Sequence, residues 1–202
     1  MIITEIKGIT LKFETDDKLF SPSAIDIGTI TMLTQTEFQS TDKILDLGCG
    51  YGVVGILASK LIGENNVTLC DFSDDAIKLS KINADINGVP NIKIIKSNGL
   101  ENIIDNDFTL ILSNPPYHVD FSVPKQFIEI GFKKLTIGGK MVMVTKRKDW
   151  YKNKLTSIFG GTKVINLNGY YVFIAEKRLA HNPIKSMNTN HLSKKLQRKQ
   201  RK

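Results

Sequence analysis

The sequence predicts an α/β fold: a mostly parallel sheet of seven strands, helices on both faces, and an antiparallel hairpin at the C-terminal end. Three observations carry that expectation. From residue 43 onward, short apolar runs alternate with helical stretches, the pattern of βαβ units. One unit, ILDLGCGYGVVG at residues 44–55, joins strand to helix through a glycine-rich turn. Near the end, TKVINL and YYVFIAEK flank Asn168-Gly169, a pair suited to a tight hairpin turn.

The elements follow in order. Residues 2–7 and 9–14 form two short strands around Gly8, and Ser21-Pro22 makes a turn before a helix that starts near Asp26. KILDL is a strand and GVVGILASKLI the helix after it. NVTLC is the next strand. In SDDAIKLSKINADI the positions Ala76, Ile77, Ser80, Ala84 and Ile86 fall near one helical face. Ser73 is a good N-cap, Asp74 and Asp75 suit the first turn, and Asn87-Gly88 ends that helix. NIKII, FTLIL and KMVMV are further strands. PKQFIEIGFKKL is a helix opened by Pro124 and closed before Gly138-Gly139. The resulting domain spans 1–178, with residues 1–40 as an N-terminal cap of short hairpin and helix, and 179–202 form a basic tail.

Composition narrows the class. The 202 residues suffice for one domain with a real core. No apolar run reaches the roughly eighteen residues of a membrane span, and no signal peptide is evident, so no membrane partner is expected. Two cysteines, Cys49 and Cys70, make no disulfide framework, which points to a reduced, cytoplasmic protein. The three histidines show no metal-ligand spacing, so no metal is expected. A monomer is the default expectation. Of the 28 Lys and Arg residues, nine fall within 177–202, which hold no Asp or Glu. The remainder carries 19 basic and 20 acidic side chains, so the formal net charge of +8 comes from residues 177–202, the tail with Lys177 and Arg178 before it. A near-neutral body with a basic tail suits a polyanion, nucleic acid first.

Two stretches carry the chemistry. In the glycine-rich turn, Gly48, Gly50 and Gly52 leave the backbone bare where a ligand approaches. The spacing Gly50-x-Gly52-x-x-Gly55 also fits a dinucleotide fingerprint. Asp46, two residues before the first glycine, is out of place beside a pyrophosphate and suits a cationic ligand such as S-adenosylmethionine. Asp71 ends the next strand and can accept both ribose hydroxyls. NAD and S-adenosylmethionine remain alternatives on these residues alone. The second stretch is LILSNPPYHVD, residues 110–120, where a strand runs into Asn114-Pro115-Pro116-Tyr117. Neither proline can donate to a sheet ladder, and each holds its predecessor extended.

Taken together, DLGCGYG, CDFSDDAI and SNPPYH resemble a class I S-adenosylmethionine-dependent methyltransferase of Rossmann-like fold. Asn-Pro-Pro-Tyr resembles the signature of the branch that methylates planar nitrogens. More narrowly, residues 5–177 resemble the methyltransferase-small domain family, typified by ribosomal RNA small subunit methyltransferases that modify a guanine N2. The chain is similar to its short single-domain form. The resemblance implies that Asp46, Gly48, Cys49, Gly50 and Gly52 hold the methionine end of S-adenosylmethionine, and that Asp71 holds the ribose. It places Phe72 against the adenine, puts Asn98, with Gly99, where the family has an Asp for the adenine amino group, and counts Asn114 among the cofactor contacts. Phe20 and Ser21 would lie near cofactor and target base, and His118 near the RNA.

That resemblance also gives the Asn-Pro-Pro-Tyr box a chemical reason. An exocyclic amine is a poor nucleophile because its lone pair is delocalised into the ring. The Asn114 side-chain oxygen and the Pro115 carbonyl can accept its two hydrogens and localise the lone pair, while Tyr117 stacks on the base. Pro115 and Pro116 keep the acceptors preorganised. Lys146-Arg147-Lys148, after KMVMVT, would contact RNA phosphates at the same end of the sheet, with Trp150 and Tyr151 packed in the core or at an edge. The expected activity is methyl transfer to guanine N2 of ribosomal RNA. A glutamine-N5 protein methyltransferase and an adenine-N6 nucleic-acid methyltransferase use the same box and are the alternatives.

Overall fold

The computed structural model describes residues 1–16, 21, 23–116 and 120–178. The expectations for Phe20, Tyr117, His118 and the tail from 179 lie outside those residues. An N-terminal hairpin pairs β1 (Ile2–Ile6) with β2 (Ile9–Phe13). Helix α1 (Ile27–Thr34) follows, capped by Asp26, whose Oδ2 accepts from the Thr29 backbone N–H at 2.9 Å. Then come β3 (Ile44–Leu47), α2 (Val53–Ile62), β4 (Val67–Asp71), α3 (Asp74–Ile86) and β5 (Lys93–Lys96). The chain continues through β6 (Phe108–Ser113), α4 (Ser122–Lys134), β7 (Leu135–Thr145), α5 (Lys148–Phe159), β8 (Lys163–Leu167) and β9 (Tyr170–Glu176).

Seven strands form one sheet in the order β5-β4-β3-β6-β7-β9-β8. The first five run parallel, and β9 is antiparallel to both β7 and β8. β4 and β5 lie to one side of β3, and β6 and β7 to the other. The order therefore reverses between β3 and β6, and the crevice at their carboxyl ends is where such sheets take ligands.

Strand alternation decides which side chains reach that crevice. Ile44, Val67, Leu69, Leu110, Leu112, Val142 and Val144 pack on one face with α1, α2 and the N-terminal hairpin. Leu45, Leu47, Cys70, Ile111, Met141 and Met143 pack on the other with α4 and α5. Asp46, Asp71 and Asn114 fall in step with the first set, at the carboxyl ends of three adjacent strands. Ser113 locks the two central ends together by donating its hydroxyl to the Leu47 carbonyl at 2.8 Å.

Four local features depart from the sequence expectations. α5 occupies a stretch with no predicted element, although Tyr151, Leu155 and Phe159 recur every four residues and are buried against the sheet. Gly138-Gly139 lie inside β7, which starts at Leu135 directly after α4. The pairing with β6 is irregular there, and a Cβ at Gly139 would meet the Phe108 carbonyl at 3.0 Å. Pro124 is in the first turn of α4, which opens at Ser122, where its missing N–H costs nothing. On α3, Ile86 is exposed and Asn83 takes its place in the interior, fully buried. Its amide accepts from the Glu14 backbone N–H at 2.7 Å and donates to the Glu14 and Tyr51 carbonyls, each at 2.9 Å. One side chain thus ties the N-terminal hairpin to the glycine-rich turn.

Candidate active site

A cavity of ≈ 500 Å³ opens at the switch point. The turn between β3 and α2 forms one wall, with positive φ at Gly48, Gly50 and Gly52. Gly52 is the N-cap of α2 and stands behind the cavity lining. Gly55 lets α2 approach β4 closely, since a Cβ there would sit 2.3 Å from the Leu69 side chain. The Cys49 backbone N–H donates to the Cys70 carbonyl at 3.0 Å. Its thiol turns to Ser80 at 3.6 Å, and burial raises its pKa well above the usual value. Cys49 therefore shapes the turn through its backbone.

Two carboxylates support this wall. Asp46 is 3 % exposed and accepts from the Gly55 backbone N–H at 2.9 Å. Burial pushes its carboxyl up to about 7, against the Gly55 hydrogen bond, with the nearby Asp71 charge adding to the rise. Asp71 accepts from the Gly50 and Ser73 backbone N–H groups, both at 3.0 Å, so it holds the turn and the entry to α3 together. Phe72 is 73 % exposed at the rim. Asn98 and Gly99 line the cavity beyond β5, and the Asn98 amide donates to Glu101 at 3.1 Å.

A second part of the wall belongs to the strand end after β6 and to α1. Asn114, buried Pro115 and exposed Pro116 line the cavity there with Ser21. The Asn114 amide nitrogen donates to Asp26 Oδ2 at 2.8 Å and to Thr29 Oγ1 at 2.9 Å. Asp26 and Thr29, both lining residues, were absent from the sequence expectations. Their one signal was the position of Asp26 at the predicted helix start. Tyr51 also lines the cavity, its hydroxyl pushed up to about 12 by burial and by the Asp26 charge.

Lys146, Arg147 and Lys148 lie outside the cavity and form an exposed ledge beside it. Each sits against an aromatic ring: Lys146 over Tyr170 at 5.0 Å, Arg147 over Phe121 at 4.9 Å and Lys148 over Tyr171 at 5.6 Å. Trp150 stacks on Phe121 at 4.3 Å, and Tyr151 is buried, as the sequence predicts for both.

Among the described residues the cavity wall holds three carboxylates, Asp26, Asp46 and Asp71, and no Lys, Arg or His. A pyrophosphate would be repelled there. A ligand carrying an ammonium and a sulfonium fits, because a desolvated carboxylate gains most from a cationic partner. A parallel sheet with this switch-point cavity, an acid ending the second strand of the unit and Asn-Pro-Pro at the next define a class I methyltransferase. The chain belongs to the methyltransferase small domain family, whose model matches residues 10–174. S-adenosylmethionine is the cofactor of this class, and supplies an activated methyl group when bound.

The chain is 29 % identical over 171 residues to the uncharacterized protein YbxB of Bacillus subtilis (strain 168), covering 82 % of this chain and 85 % of that one. It is 32 % identical to a ribosomal RNA small subunit methyltransferase C of Serratia proteamaculans, covering 80 % of this chain and 47 % of the relative. A ribosomal RNA large subunit methyltransferase G of Psychromonas ingrahamii is 28 % identical, with 86 % and 47 % covered. The chain thus spans about half the length of these two ribosomal RNA methyltransferases. In structure it resembles the T. thermophilus 16S rRNA N2 methyltransferase solved with AdoMet and guanosine. The TM-score is 0.78 at 23 % identity, covering 88 % of this chain and 50 % of that one.

Proposed function

We propose that the protein transfers a methyl group from S-adenosylmethionine to the exocyclic N2 of a guanine in ribosomal RNA. The observation that carries this reading is the juxtaposition across one cavity. An acidic, glycine-lined turn suited to a cationic cofactor and the Asn114-Pro115-Pro116 segment line the same cavity. Asp46 and the Gly48–Gly50 backbone would hold the methionine end, and Asp71 the ribose. Asn98 would accept from the adenine amino group, with Phe72 on the ring. Across the cavity, the Asn114 side-chain oxygen and the Pro115 carbonyl accept the two amine hydrogens and aim the lone pair. Ser21 lines the cavity on the substrate side, and the roles that the resemblance gives to Tyr117, Phe20 and His118 lie outside the described residues.

No strong general base is needed, because the proton leaves after the methyl group has moved. The target base must first leave its stack, which costs a few kcal/mol. The ledge Lys146-Arg147-Lys148 contributes phosphate contacts that position the RNA without reading its sequence. The basic tail adds a further electrostatic contribution. The named relatives that act on ribosomal RNA support that choice of substrate class.

The test is a transfer assay with labelled S-adenosylmethionine and, in parallel, total RNA, ribosomal subunits, DNA and a release factor. Products are digested and identified by mass spectrometry. Label in N2-methylguanosine is the expected result. Label in glutamine or adenine would overturn the substrate while keeping the amine chemistry.

A further inference from the structure

Asp26 belongs to none of the motifs that mark the cofactor or the acceptor box, yet donors from three parts of the fold converge on it. Its Oδ2 accepts from the Thr29 backbone N–H at 2.9 Å and from Asn114 Nδ2 at 2.8 Å, and its Oδ1 accepts from the Tyr170 hydroxyl at 3.3 Å. A carboxylate only accepts, so it can face the nitrogen end of the Asn114 amide and never the oxygen end. The second amide proton is directed to Thr29 Oγ1 at 2.9 Å.

The surroundings are shaped for this contact. A Cβ at Gly28 would lie 2.6 Å from Tyr170 Cε1 and 2.8 Å from Asp26 Oδ2. Only a glycine lets the tyrosine ring reach the carboxylate. The Asn168 amide, in the turn of the terminal hairpin, donates to Thr31 Oγ1 at 3.2 Å and holds that turn against α1. The hairpin edge of the sheet therefore braces the helix that carries Asp26.

We propose that Asp26, seated by Gly28 and Tyr170, is a positioning residue that fixes the polarity of Asn114. With both amide protons directed into the protein, Asn114 presents its oxygen end to the cavity. The site then selects a target that offers N–H hydrogens and rejects one that offers a carbonyl oxygen at the same point. The inference rests on the reading of Asn114 as the acceptor for the target amine.

Two readouts on Asp26→Ala, Asp26→Asn and Tyr170→Phe test it. The first is the side-chain amide resonance of Asn114 in 15N-asparagine-labelled protein, assigned by its loss in Asn114→Ala. The second is the single-turnover methyl-transfer rate on ribosomal RNA, beside the cofactor Kd and the RNA KM. Asp26→Ala is expected to shift the amide pair and slow transfer about 100-fold, the scale of a misplaced reacting group, with Kd and KM within about twofold. Asp26→Asn keeps a neutral acceptor and is expected to lose about fivefold. Tyr170→Phe should lose less than Asp26→Asn.

An unshifted Asn114 resonance in Asp26→Asn, or a wild-type transfer rate in a folded Asp26→Ala, would overturn the proposal. So would a loss in Asp26→Ala that lies in cofactor Kd or RNA KM instead of turnover. If Asp26→Ala does not fold, Asp26→Asn decides, with wild-type rate and unshifted amide the contrary result. Wild-type protein that methylates no RNA would overturn the functional reading instead, and the resonance shift would still judge the contact.

Discussion

The two walls of the cavity are built by different means. The glycine-rich wall, proposed to hold the cofactor, is made from neighbours in sequence: Asp46 accepts from Gly55, and Asp71 from Ser73 and from Gly50. The longest of these reaches is 21 residues, and the donors are backbone N–H groups. The wall around Asn114, proposed to take the target amine, is made from side chains far apart in the chain. Asn114 reaches Asp26 across 88 residues, Tyr170 reaches it across 144, and Asn168 reaches Thr31 across 137. The first wall is a local motif that any βαβ unit can carry. The second exists only once α1, β6 and the terminal hairpin have packed together, so its geometry depends on the completed fold.

Asn83 breaks that division, because a long-range side chain braces the local wall. Asn83→Ala removes hydrogen bonds to Glu14 and Tyr51 inside a fully buried site. The expected cost is about 2–4 kcal/mol, since buried partners are left unsatisfied. Thermal unfolding should fall by several degrees, with weakened cofactor binding in the protein that remains folded. A melting point equal to wild type would mean the hairpin and the glycine-rich turn hold their places independently.

The charge state of Asp46 separates the two walls further. Its carboxyl sits at about 7 in the protein without cofactor, because burial favours the neutral form. A cationic ligand binds the ionised form, so affinity should rise with pH and level off above about 7, by up to about tenfold per unit below that point. Asp46→Asn should abolish the dependence. Isothermal titration of S-adenosylmethionine between about pH 5.5 and 7.5 reads it, and a flat profile in wild type would remove Asp46 from the cofactor contacts.

The smallest effects belong to the surface. Substituting Lys146, Arg147 and Lys148 together by Ala should weaken RNA binding several-fold and leave cofactor affinity unchanged. Deleting residues 185–202 should lower RNA affinity and flatten its salt dependence, each lost phosphate contact reducing the slope of log K against log salt by about 0.7–0.9. An unchanged slope would take the tail out of the RNA contacts.

The same division governs what could be read from the sequence. Asp46, the glycines, Asp71 and Asn114-Pro115-Pro116 were legible because each sits at a strand end in a recognisable local spacing, and the alternation of βαβ units put those ends side by side. Asp26 was legible only as a helix start. Nothing local tells that an N-cap carboxylate also holds an asparagine 88 residues away. Gly28 looks like an ordinary helix glycine until Tyr170 is packed on it. The pattern of α3 favours Ile86 over Asn83, because an apolar residue is the usual choice for a buried helix face and the polar backbone groups that Asn83 satisfies come from other elements. α5 shows its period in Tyr151, Leu155 and Phe159, but the basic cluster at its start reads as a solvated loop.

On the proposed function, the two walls divide the work, one holding the cofactor and the other presenting the amine. The measurement that tests it most directly determines cofactor Kd and single-turnover transfer rate for wild type, Asn114→Ala and Asp71→Ala in one experiment. Asn114→Ala is expected to lose about 100- to 1,000-fold in rate, the scale for a preorganised polar group at the reacting centre, with Kd within about twofold. Asp71→Ala is expected to lose its affinity at least tenfold, the scale of hydrogen bonds to a charged group. Equal losses of affinity in both variants would contradict the division and make Asn114 part of the cofactor wall.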